Sequence, residues 1–206
     1  MAKSLGRTKA AQGGWQEVRR LYDNDPDSTQ DLKIYPTFDD VDPQTVSAWR
    51  YTIQYESTQN TSLFWRAGYL NLNGTFYTLG TDSYTGWRGV SQDTSGGNIA
   101  YNANFYENSN NAYCGVNIQA DAYDQVRGEI MIYGSSTINN TPYGGNFTVI
   151  TQTSANDYIS FSGQFIVTST FNRYVNHGVD FSPYVNVNSL NDLQWKIEVC
   201  RGEGDY

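Results

Sequence analysis

From Val46 onward the side chains alternate in character along the chain. Trp49, Tyr51, Ile53 and Tyr55 fall on one side of an extended backbone, and Arg50, Thr52 and Gln54 on the other. Successive side chains of a strand point to opposite faces, so this pattern describes a strand with one face in a core and one in water. Similar runs return at 62–72, 75–79, 99–106, 114–120, 126–133, 147–153, 158–168, 171–175 and 193–200, with no helical periodicity between them. Roughly ten short strands without crossover helices cannot build a parallel α/β sheet. The expected fold is all-β, an antiparallel β-sandwich of jelly-roll-like form.

Composition agrees with that reading. Aromatic residues make up 15% of the 206 residues, led by 17 Tyr, and charged residues only 17%. Tyr, Trp and Phe suit a pleated, half-buried surface, whereas long helices draw on Ala, Leu, Glu and Lys. The segments between runs are rich in Asn, Ser and Gly, as at 108–111 and 139–145. Asn73-Gly74, flanked by strand-like runs, predicts a hairpin with a type I′ turn, because both central residues of that turn need positive φ.

The first 45 residues differ from the rest. Lys3, Arg7, Lys9, Arg19 and Arg20 form a basic block, followed by an acidic one with Asp23, Asp25, Asp27, Asp31, Asp39, Asp40 and Asp42. Glycines and prolines punctuate both, and neither sustains a period of two. The expected organisation is an extended N-terminal attachment arm over 1–45 and a β-sandwich domain over 46–206, the arm being ordered by neighbouring molecules. Lys3, Arg7, Lys9, Trp15, Arg19, Arg20 and Tyr22 are the candidate assembly residues.

A formal net charge of −8 argues against nucleic acid as a partner, since phosphate-backbone binding needs clustered Lys and Arg. No apolar run reaches bilayer length, and 1–7 lacks the apolar core of a secretory signal, so neither membrane insertion nor export by that route is expected. Cys114 and Cys200 match no zinc-ligand spacing; they read as buried thiols or as a disulfide closed after release from the cell. No cofactor is expected.

Few residues offer chemistry. His177 is the single histidine, which rules out a His-rich metal site; it reads as a loop histidine ahead of a strand, or as one member of a cysteine-nucleophile set with Cys114. Asp23-Asn24-Asp25-Pro26-Asp27-Ser28 begins like a calcium loop, but Ser28 and Ile34 stand where the glycine and glutamate are required. Glu56, Glu107, Glu129 and Glu198 are the glutamates from which a hydrolytic pair would be drawn, with a solvated strand face the alternative for Glu129 and Glu198. Tyr84, Trp87 and Tyr143, read as loop aromatics together with Tyr101, Tyr106, Tyr113 and Tyr174, could form a platform for sugar rings. The same residue types also anchor subunit interfaces.

Four segments carry a resemblance: Arg127-Gly128-Glu129-Ile130-Met131-Ile132-Tyr133, Phe147-Thr148-Val149-Ile150-Thr151, Tyr158-Ile159-Ser160-Phe161-Ser162-Gly163-Gln164-Phe165 and Leu193-Gln194-Trp195-Lys196-Ile197. A Gly-Glu-hydrophobic strand, an Asn/Gly-rich loop, two long alternating strands and a closing aromatic strand together resemble the β-sandwich domains of tailed-phage structural proteins. The resemblance implies a non-enzymatic virion component made in the host cytoplasm. Such a component would be trimeric and in contact with other virion subunits as a fibre, collar or capsid-decoration module. It supplies no catalytic residue. A host surface glycan is the partner expected of the alternative, a receptor-recognition module.

Overall fold

The computed structural model describes residues 14–23, 32–57, 61–71, 73–78, 84–93, 100–107, 117–120, 124–133, 143–152, 158–167, 175–181 and 190–201. Among them the chain forms β1 (Trp15–Asp23), β2 (Leu32–Ile34), a 3-10 turn (Pro43–Thr45), β3 (Val46–Ser57), β4 (Thr61–Leu70), β5 (Phe76–Thr78), β6 (Tyr84–Asp93) and β7 (Ala100–Glu107). It continues with β8 (Asn117–Ala120), β9 (Gln125–Tyr133), β10 (Tyr143–Gln152), β11 (Tyr158–Val167), β12 (Asn176–Phe181) and β13 (Leu190–Arg201). The fold is an all-β antiparallel sandwich. Its larger sheet runs β1-β13-β3-β9-β10-β11-β6-β7, and the smaller runs β2-β12-β4-β5 with β8 paired to β4. β1 and β13, far apart in the sequence, lie side by side in the larger sheet, a pairing that closes a long stretch of chain before any contact is gained.

The core follows the alternation. Trp49, Tyr51, Ile53 and Tyr55 of β3 are at most 1% exposed, and they meet Val126, Ile130 and Ile132 of β9, Phe147 and Val149 of β10, and Leu193, Ile197 and Val199 of β13. Ile34 and Val179 close the cluster from the smaller sheet. Each such side chain contributes about 1.5–3 kcal/mol on leaving water, so this central block holds the two layers together.

The boundary expected at residue 45 needs correction. Residues 15–23 form a full-length edge strand, 32–34 pair with β12, and Ile34 and Val41 belong to the core. A register shift between Glu17 and Arg19 breaks the period of two inside β1, which hides the strand from a reading of alternation. β2 is three residues long, too short to show any period. An arm can be sought only in 1–13, which lie outside the described residues.

Other expectations shift in detail. The hairpin between β4 and β5 is present, but Gly74 alone of the Asn-Gly pair takes positive φ, at 80°. Gly74 N–H donates to the Asn71 carbonyl at 3.0 Å and Asn71 N–H to the Thr75 carbonyl at 3.1 Å, giving a three-residue loop with a left-handed glycine rather than a type I′ turn. His177 is not in a loop. It lies inside β12, in a run from Val175 to Asp180 that is buried throughout. Asn, Gly and Asp are weak strand formers; here burial from both sides overrides propensity. The strand expected at 171–175 falls outside the described residues except for Val175, which precedes β12.

Candidate functional site

The outer face of the larger sheet carries a charged cluster assembled from four strands. Register places Glu17 of β1 opposite Glu198 of β13, and Glu198 opposite Arg50 of β3. The Arg50 guanidinium donates to Glu198 Oε2 from both Nε and Nη2 at 2.8 Å, and Lys196 Nζ reaches the same oxygen at 3.0 Å. Glu129 of β9 comes within 4.0 Å of Arg50. Glu198 is only 9% exposed, so its charge is held under two cations rather than solvated as expected for an outward residue.

Arg50 also lies over the ring of Trp15, with Cζ 4.5 Å from the centroid. A guanidinium within about 6 Å of an indole face is attracted by the ring quadrupole, and fixing its far side on a carboxylate orients it for that contact. One arginine thereby links β1 to β13 and to β9.

The rest of β1 is attached by similar contacts. Arg19 stands 5.7 Å from the Trp195 ring and 3.9 Å from Asp40, tying the strand to the 37–42 segment. Arg20 donates Nε and Nη2 to the two oxygens of Glu17 at 2.5 Å each. That hydrogen-bonded pairing draws the Glu17 pKa below its usual value and raises that of Arg20. Arg201 Nε donates to Gln16 Oε1 at 3.0 Å. Between β1 and β3, above β13, lies an open groove of about 360 Å³, with Glu17 and Arg20 on one wall, Thr52 and Gln54 on the other, and Gln194 and Lys196 between. Its charged groups already pair with one another or with Glu198.

Of the candidate assembly residues, Trp15, Arg19, Arg20 and Tyr22 all lie on β1, whereas Lys3, Arg7 and Lys9 lie outside the described residues. The candidate glycan residues are on strands, not loops. Tyr84 and Trp87 belong to β6 and Tyr143 opens β10. Register sets Tyr143 and Tyr84 on either side of Val167 of β11, with Trp87 opposite Phe165 two positions back, so three distant sequence positions share one corner of the sheet. Tyr101 and Tyr106 are on β7; Tyr113 and Tyr174 lie outside the described residues.

His177 is 2% exposed, edge-on to Trp49 at 4.5 Å between centroids, and burial lowers its pKa to about 3. Cys200 is a free, half-buried thiol, not a fully buried one, and Cys114 lies outside the described residues. The calcium-like stretch is described only at Asp23, which ends β1. Among the described residues no three His, Cys, Asp or Glu side chains converge as a metal site. Sequence reasoning missed Arg50 and Lys196. Their polarity within an alternating run marked the outer face, but their meeting at Glu198 depends on a register between residues nearly 150 positions apart. No protein-family model, curated protein or solved structure matches this chain.

Proposed function

We propose that this protein is a non-enzymatic virion structural component, a capsid-decoration or tail-fibre subunit that joins a larger particle through its N-terminal segment and edge strand. The observation that carries the reading is the position of β1. Trp15, Arg19, Arg20 and Tyr22 share a strand at the rim of the larger sheet, and that strand continues directly into the stretch bearing Lys3, Arg7 and Lys9. An edge strand is the element of a sandwich best placed to meet another chain, and aromatic and arginine side chains are the strongest anchors of protein interfaces. With a net charge of −8, the body of a neighbouring copy is an electrostatic match for the basic leader. A trimer with other virion subunits around it is the assembly proposed.

The test is removal of residues 1–13, which leaves every described strand intact. Supplied during infection, the truncated chain is expected to fold and to be missing from purified particles that contain the full chain. Its recovery in particles at the full-length level would end the reading.

A second reading has its own observation, the neighbouring strand positions of Tyr84, Trp87 and Tyr143 at one corner of β6, β11 and β10. Flat aromatic rings are what sugar faces stack on, so this corner is a candidate platform for a host surface glycan. Binding of the purified protein to a glycan array, lost in Trp87→Ala with folding unchanged, would favour it; a blank array would remove it.

A further inference from the structure

We propose that the groove above β13 binds an uncharged, hydroxyl-rich ligand, a short stretch of neutral carbohydrate. The site uses neither the N-terminal segment nor the corner at Tyr84, Trp87 and Tyr143, so it goes beyond both readings above. Its geometry follows from register. Gln194 and Lys196 of β13 stand directly opposite Gln54 and Thr52 of β3, and Arg20 of β1 stands opposite Lys196 on the other side. Facing residues of antiparallel strands have Cβ atoms about 4.5–5.5 Å apart, so the two glutamine amides are immediate neighbours, with Glu17 and Arg20 as the wall along β1. A volume of about 360 Å³ falls within the range of ligand pockets, about 300–1,000 Å³.

The first observation is that the charges of the groove are closed off among themselves. Arg20 donates to both oxygens of Glu17, and Lys196 lies on Glu198, so these cations and carboxylates offset each other pairwise. An anion entering the groove would meet Glu17, and would need Arg20 or Lys196 drawn away from its carboxylate. A cation would meet Arg20 and Lys196. Neither sign of charge is favoured, on a chain whose formal net charge is −8.

The second observation is what is left open. Thr52, Gln54 and Gln194 are half-buried, and among the described residues their side chains have no hydrogen-bond partner. A side-chain amide both donates and accepts, and so does a hydroxyl. Beside them, Lys196 keeps ammonium donors beyond the one on Glu198, and Arg20 keeps Nη1. A ligand that satisfies this set must donate and accept at closely spaced points without carrying charge, which is what adjacent hydroxyls of a sugar ring do. The methylene stems of Gln54, Gln194, Arg20 and Lys196 supply narrow apolar strips for its C–H edges. An extended peptide finds no backbone edge here, because β13 is paired on both sides by β1 and β3.

Saturation-transfer NMR on the full-length protein with maltose, cellobiose and lactose tests the site, with sialyllactose as the anionic comparison. Transfer to at least one of the neutral disaccharides is expected. Gln54→Ala with Gln194→Ala should lower that affinity by at least about ten-fold, as the loss of two ordinary hydrogen bonds implies, and Trp87→Ala should leave it unchanged. Absence of transfer to all three sugars overturns the proposal. So does transfer that the double variant leaves intact, or that is stronger for sialyllactose than for lactose. Should the alanine pair disturb the fold by circular dichroism, Gln54→Glu with Gln194→Glu keeps the side-chain shape, removes the amide donors and is expected to show the same loss. Particle incorporation of the chain lacking residues 1–13 tests the structural role itself, so the two ideas can fail separately.

Discussion

The phenol of Tyr51, on the larger sheet, donates a hydrogen bond to the backbone carbonyl of His177, on the smaller one. Burial raises the Tyr51 pKa well above its usual value, so the hydroxyl keeps the proton it donates. Trp49 packs against the edge of the same histidine, so β3 touches β12 through both a polar and an aromatic contact.

Tyr51→Phe is expected to cost about 1–2 kcal/mol, since it deletes a buried donor while leaving the ring in place. Urea unfolding should show a lower midpoint with an unchanged slope. An unchanged midpoint would mean that the interlayer bond contributes nothing net.

His177 makes stability depend on pH. Its pKa is about 3 when folded, against about 6.5 unfolded. The unfolded chain binds the extra proton between those values, so stability is complete above pH 6.5 and falls as pH drops toward 3. The loss is on the order of 5 kcal/mol across that window. Denaturant titrations at pH 7 and pH 4 should differ, and His177→Gln should flatten the difference. An equal pH dependence in the variant would remove His177 as its source.

Gly68 and Gly178 form the floor on which Phe76 lies, with Tyr35 stacked on that ring at 4.7 Å. A Cβ on Gly178 would fall 2.6 Å from Phe76, 2.8 Å from the Ile34 carbonyl oxygen and 2.8 Å from the Tyr35 Cβ. Because backbone as well as ring must move, Gly178→Ala should destabilise by about 1–3 kcal/mol, typical of overpacking. Thermal unfolding measures it, and a melting temperature equal to wild type would show that β2 yields freely.

Arg50→Ala removes the guanidinium that joins Trp15 to Glu198 and leaves that carboxylate with Lys196. Partly screened contacts of this kind are worth about 1 kcal/mol in sum. The effect should concentrate in β1, read as faster amide exchange at 15–21 with little change in β3 or β9. Uniform protection across the sheet would deny Arg50 its part in holding the strand.

Deleting 1–45 should give insoluble or unfolded protein, in contrast to deletion of 1–13. The longer cut takes away Ile34 and Val41 from the core and uncovers the edges of β13 and β12. A folded, monomeric 46–206 fragment by circular dichroism and gel filtration would restore the boundary at residue 45.

The alternation in 46–57, 126–133 and 193–200 was sufficient to identify the strands and their inward faces, because a period of two is a local property of side chains on a pleated backbone. Trp49, Tyr51, Ile53, Ile130 and Ile197 were legible as core for that reason. Local signals failed where tertiary contacts outweighed them. The register shift in β1 erased its period, and His177 entered a buried strand that its neighbours' propensities disfavour. The charged cluster was beyond any local reading, since Glu17, Arg50, Glu129 and Glu198 meet only through pairings between β1, β13, β3 and β9. Which strands this chain forms was written mostly in neighbouring residues; which side chains stand together was decided by the order of strands in the sheet, because pairing joins positions that no sequence interval relates.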